Sequence, residues 1–94
     1  MDDTRLKQRV QEISQSVKNV RANDLYTLLD NHIKLYCEAR SLHYDHRVRG
    51  SHHIFTVGEQ TISLPLPHGS SHLRPVYVLK FLDVMQLIGL YEEE

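Results

Sequence analysis

The stretch LHYDHRVRGSHHIFTVGEQTISLPL, residues 42–66, decides the fold of this chain. Leu42, Tyr44, His46 and Val48 alternate with His43, Asp45, Arg47 and Arg49. That is the period of a strand with one apolar and one polar face. Gly50-Ser51 reads as a tight connection. In residues 52–57, His53, Phe55 and Val57 fall on one side, with His52, Ile54 and Thr56 on the other. Gly58-Glu59 marks a second turn. Residues 60–66 then set Ile62, Leu64 and Leu66 opposite Thr61, Ser63 and Pro65. Pro65 cannot donate to a ladder, so this strand is an edge or ends there.

The flanks change period. Leu6, Val10, Ile13 and Val17 form one stripe of a helix over residues 4–18, with charged and amide side chains on its other faces. A second helix is expected to start at Asn23 or Asp24, both good N-caps, and to bury Leu25, Leu28, Leu29, Ile33 and Tyr36 before fading near Arg40. Pro75 suits the first turn of a closing helix and Gly89 its end. That helix is apolar nearly all round, so one face can cover the sheet and a second needs another cover. The N-terminal helix and a partner are the two candidates. The final YEEE reads as a frayed acidic tail.

These elements make an α+β domain of order α-α-β-β-β-α: a small three-stranded antiparallel sheet with helices on one face. Residues 1–20 read as a helical extension and residues 21–94 as the domain proper, compact as a whole. A chain of 94 residues, 40% hydrophobic, makes one domain with a thin core. No run approaches the ~20 apolar residues that span a bilayer, and the first residues lack the apolar region of a signal peptide. Cys37 is the single cysteine, which excludes an internal disulfide and the usual thiolate zinc site. A cytoplasmic setting is expected.

The net charge of −1 hides an asymmetry. Residues 40–80 carry five basic side chains against two acidic ones, together with six of the seven histidines. Such a segment suits an anionic partner.

If the apolar strand rows meet the helices, the other face of the sheet is left to water. It carries His43, Asp45, Arg47, Arg49, His52, Thr56, Thr61 and Ser63, with Ile54 as an exposed exception. Alternation thus separates two adjacent histidines: His53 points with the core row and His52 points out, beside arginines. His46 and His53 read as ring-stacking residues at the core edge, each with one nitrogen satisfied by a neighbour. His32, His68 and His72 read as surface or boundary residues. A metal site is not expected, because neighbouring histidines face opposite ways and no His-x-x-x-His pair sits on a helix.

His52 is placed to meet a phosphodiester. Imidazole can take a proton from a ribose 2′-OH near neutral pH. The oxygen then attacks the adjacent phosphorus, while arginines offset the phosphoryl charge. No metal or cofactor is required. The same face is equally suited to binding RNA without cutting it.

GSHHIF after a polar strand, then a short hairpin, PLPH, LRP and a closing helix, resembles the HicA toxins. These are small mRNA interferases of toxin–antitoxin pairs with a fold similar to a double-stranded-RNA-binding domain. The resemblance covers about residues 23–90, and NVRANDLYTLL is similar to the opening of a subgroup with an extra leading helix. It implies that His52 is catalytic, that Gly50 and Ser51 shape the turn presenting it, and that Arg74 is the basic residue before the helix proline. With Arg47 and Arg49, Arg74 is then expected to hold the RNA backbone. It further implies an mRNA substrate and a HicB-like antitoxin that blocks the active face. A homo-oligomer is an open possibility. Where the family commonly has lysines, in the hairpin and after PLPH, this chain reads VGEQ and GSS. A catalytically inactive RNA- or protein-binding module of the same fold is the alternative.

Overall fold

Two short turns organise the sheet. The computed structural model describes residues 2–65 and 72–93. In it, β1 (Tyr44–Arg49), β2 (His52–Val57) and β3 (Gln60–Pro65) form one antiparallel sheet in that order. Gly50 and Gly58 open the two connections, each with φ of 62°, a left-handed conformation that glycine adopts without steric cost. Leu66 and His68 lie outside the described residues.

The register sets the rows. Tyr44, His46 and Val48 share the inner face with His53, Phe55, Val57, Ile62 and Leu64. Phe55, Val57, Ile62 and Leu64 are fully buried. Val48 departs from expectation: it is 59% exposed. Burial fades along β1 toward the Gly50 turn, because the helical cover stops short of the hairpin tip. The strand also begins at Tyr44, and half-buried Leu42 packs on the core from the preceding loop.

Three helical bodies supply the cover, in the order α-α-β-β-β-α. The first, α1 (Asp3–Gln15), is capped by the Asp2 carboxylate, which accepts from the Arg5 N–H at 2.8 Å. It buries Leu6, Val10 and Ile13 and ends sooner than expected, so that half-buried Val17 falls in a 3-10 turn, Val17–Asn19. The second body is continuous: α2 (Ala22–Leu28), a π-helical stretch Leu29–Ile33, and α3 (Lys34–Ala39). Its N-cap is Arg21 rather than Asn23 or Asp24, and no side chain caps it. Ala22 must already be helical to seat in the core, and Arg21 is held extended by a bridge to His72. Asp24 remains in the first turn, where a carboxylate complements the helix dipole.

Both later helix ends close alike. After α3, the Leu42 N–H bonds the Cys37 carbonyl at 2.9 Å and the Ser41 N–H that of Glu38 at 3.3 Å. After α4 (Pro75–Leu87), the Leu90 N–H bonds Met85 at 2.8 Å and the Gly89 N–H bonds Gln86 at 3.3 Å. Each is a Schellman closure, which needs one left-handed residue. Gly89 fills that place with φ of 88°, and Ser41 fills the other with φ of 56°.

Helix α4 starts with Pro75 as expected and is covered on two sides. It packs on β3, and α1 and the 3-10 turn lie across it, which buries Val78, Phe81, Leu82, Val84 and Met85. The N-terminal helix is therefore the second cover. An ion pair between Asp3 and Arg40 ties it to the end of α3, where the Arg40 guanidinium also sits 3.7 Å over the Tyr36 ring. In the acidic tail Tyr91 packs against the core, while Glu92 and Glu93 are exposed and without regular structure. No helix among the described residues is long and apolar enough to cross a membrane.

Candidate functional site

The free face of the sheet collects the residues singled out above. Antiparallel pairing sets Arg49 directly opposite His52, Arg47 opposite Ile54, and Asp45 opposite Thr56. Ser63 and Thr61 continue the rows of Ile54 and Thr56 onto β3. Arg47 and Arg49 are exposed and His52 is half-buried. Ile54 is half-buried rather than exposed, lying between Arg47 and Ser63. His43 is exposed but precedes the strand, and its carbonyl accepts from the Gly58 N–H at 2.8 Å.

Within this face the electrostatics are uneven. Arg47 Nε donates to Asp45 Oδ2 at 3.1 Å, so this guanidinium already has an anionic partner. Arg49 makes no ion pair among the described residues and is the freer cation. Ser51 Oγ lies 3.3 Å from His52 Nδ1. If Nδ1–H donates to that hydroxyl, Nε2 of His52 is left with the lone pair. Gly50, in its left-handed conformation, turns the chain so that Ser51 and His52 follow directly on Arg49. Arg74 stands at the exposed N-cap of α4, and no hydrogen bond among the described residues links it to His52.

The inner face holds a second constellation. His46 Nδ1 lies 2.9 Å from Asp30 Oδ2 and 3.0 Å from Oδ1, and His46 Nε2 lies 2.7 Å from His53 Nδ1. The Tyr44 hydroxyl donates to Asp30 at 2.8 Å. Burial, with the Asp30 carboxylate adding to it, pushes the Tyr44 phenol far above its usual range. His53 rests on Tyr26, ring centroids 4.5 Å apart, and His46 stacks on Phe55 at 4.1 Å. The Tyr26 hydroxyl in turn donates to the Pro65 carbonyl. Burial lowers the His53 pKa, and His46 lowers it further, against a smaller opposing effect of Asp30.

Both inward histidines are thus ring-stacked as expected; His53 has one nitrogen satisfied by a neighbour, whereas His46 has both. Asp30 was not singled out, although it completes the set. Its only trace in the sequence is a carboxylate between the buried Leu29 and Ile33, in the π-helical stretch. Such stretches are frequent at functional sites.

Other features lie apart. Among the described residues, no three His, Cys, Asp or Glu side chains converge to hold a metal ion. A cleft of about 370 Å³ between α1 and the C-terminal segment is lined by Thr4, Lys7, Gln8, Gln11, Tyr91 and Glu92, and includes none of the histidines or arginines described above. Cys37 is buried, and burial raises its thiol pKa, so it behaves as a core residue. No family model, curated protein or solved structure matches the chain.

Proposed function

We propose that the chain is a metal-independent endoribonuclease similar to the HicA toxins, the mRNA-cleaving half of a type II toxin–antitoxin pair. The observation that carries this reading is the His52–Arg49 pair on the face of the sheet opposite the helices. A proton acceptor and a guanidinium without an ion pair among the described residues are held side by side there. The GSHHIF motif and the α-β-β-β-α order of residues 22–87 support it.

In this reading His52 Nε2 takes the proton of a ribose 2′-OH. O2′ attacks the adjacent phosphorus and the bond from phosphorus to O5′ breaks. A 2′,3′-cyclic phosphate and a 5′-hydroxyl result, the departing O5′ taking its proton from the imidazolium or from water. Arg49 offsets the charge that grows on the phosphoryl oxygens. Arg47 and Arg74 hold the flanking backbone, and Gly50 and Ser51 set the turn. A HicB-like antitoxin would silence the enzyme by covering this face. The cytoplasm, where mRNA is met, is its place of action.

One observation favours the second reading, a binding module without chemistry. Asp45 already engages Arg47, which leaves little free positive charge on the face, and phosphate neutralisation drives much of RNA affinity. Incubating an oligoribonucleotide with the protein in EDTA separates the two. Cleavage with cyclic-phosphate ends, lost in His52→Ala, supports the nuclease. Binding without cleavage supports the module.

A further inference from the structure

The inward histidines form a titratable cluster that the chemistry at His52 does not use. A neutral contact between two imidazoles needs one N–H and one lone pair. The Asp30 carboxylate only accepts, so it draws the His46 proton to Nδ1, 2.9 Å away. His46 Nε2 is then a lone pair, and His53 must donate to it from Nδ1 across 2.7 Å. The chain therefore has a direction, and the His53 lone pair is left on Nε2. That atom makes no hydrogen bond among the described residues.

The position of the cluster is as informative as its chemistry. β1 is half-buried from Tyr44 to His46 and exposed from Arg47 to Arg49. His46 is the last inward anchor of β1 before the turn, and His53 directly follows His52. His46 fastens β1 to Asp30 in the π-helical stretch, and His53 links β2 to it through His46, just below the tip that carries Arg49 and His52.

We propose that Asp30, His46 and His53 are positioning residues for His52, a directional hydrogen-bonded clasp that ties the β1–β2 hairpin to the second helix and keeps His52 and Arg49 in place. This rests on the reading of His52 as the acid–base group.

The clasp tolerates one added proton and not two. A proton arriving at His53 Nε2 lets His53 pass its Nδ1 proton to His46 Nε2. His46 becomes an imidazolium bonded to Asp30, and both links survive with the middle one reversed. A second proton sets N–H against N–H and opens the contact. The groups that face the cluster are Asp30, Lys34 and Tyr26 from the second helix and Tyr44 from β1, with Asp45 lining the same cleft. β3 adds only apolar Ile62 and Leu64.

The test is nitrogen NMR of the full chain labelled with ¹⁵N-histidine. At neutral pH, His46 and His53 should both be Nδ1–H tautomers, the reverse of the form free histidine favours. Asp30→Ala should return both rings to Nε2–H, shift the His52 ring resonances, and lower kcat on an oligoribonucleotide by about tenfold or more with KM little changed. An Nε2–H majority on either ring of the wild type overturns the proposal, and so does Asp30→Ala with unchanged His52 resonances. If Asp30→Ala does not fold, Asp30→Glu, which displaces the carboxylate by one methylene, replaces it with the same two outcomes. A wild type that never cleaves RNA sinks the nuclease reading alone, and the ring spectra still decide the clasp.

Discussion

Arg49 and His52 face each other as the last pair of the β1–β2 ladder, joined only by Gly50 and Ser51. His53, one residue on, turns to the opposite face and lies tilted against Tyr26. The two neighbours should therefore answer differently to truncation. His52→Ala should abolish RNA cleavage and leave the melting temperature within a degree or two. His53→Ala should cost roughly 1–2 kcal/mol in denaturant unfolding. A folded, inactive His53→Ala beside an active His52→Ala would reverse these roles.

The two arginines should separate by salt dependence. Arg49→Ala should weaken binding of unrelated RNA sequences alike and flatten the slope of log affinity against log salt by about one. Arg47→Ala should do the same to a lesser degree, because Asp45 already engages that guanidinium. Fluorescence anisotropy at several salt concentrations checks both. A changed sequence preference with an unchanged slope would mean base contacts instead.

Removing residues 1–19 should lower the melting temperature or cause aggregation. Leu6, Val10 and Ile13 are buried, and each contributes ~1.5–3 kcal/mol if fully withdrawn from water. Their loss also uncovers one side of α4. Since α1 lies across α4 and the His52 face is on the other side of the sheet, whatever fraction stays folded should still cleave. A stable and more active truncation would show that the helix inhibits rather than supports.

Stability should decline in mild acid. Unfolded His53 takes its proton near the ordinary value of about 6.5, and the folded ring takes it only at lower pH, because burial disfavours the charge. Between those values the unfolded chain holds more protons, so the stabilisation present above about pH 6.5 drains away as pH falls through the folded value. Urea titrations from pH 7.5 to 4.5 should show this loss, and His53→Phe should reduce it.

Ser41→Gly should stabilise the fold by roughly 1 kcal/mol, since a side chain in the left-handed region is strained and glycine is not. Ser41 has φ of 56° in the closure of α3. Its exposed side chain makes no hydrogen bond among the described residues. Thermal melts of the two proteins compare the values directly.

Strict alternation made the sheet legible in advance. It placed β2, set both turns, and assigned His52 and His53 to opposite faces before any register was known. The stripe of α1 was equally plain, because a helical period repeats locally. What escaped depends on docking. Val48 has the right parity for the core, yet its exposure follows from where the helices stop. Arg21 takes the N-cap position because Ala22 is needed in the core, against the local capping preference of Asn23 and Asp24. Asp30 joins His46 and His53 only once the second helix lies across the sheet at one angle, and no spacing along the chain encodes that angle.

The docking of α1 on α4 has a bearing on synthesis. The strands form a meander whose neighbours in space are neighbours in sequence, so each hairpin can pair as soon as it leaves the ribosome. Helix α1 emerges before all of them, but its principal partner, α4, emerges after them. Until residues 75–90 appear, the stripe of Leu6, Val10 and Ile13 has no α4 to close against. The nascent chain thus carries an uncovered apolar stripe on α1 while the sheet is being made, and the core is sealed only when α4 has followed.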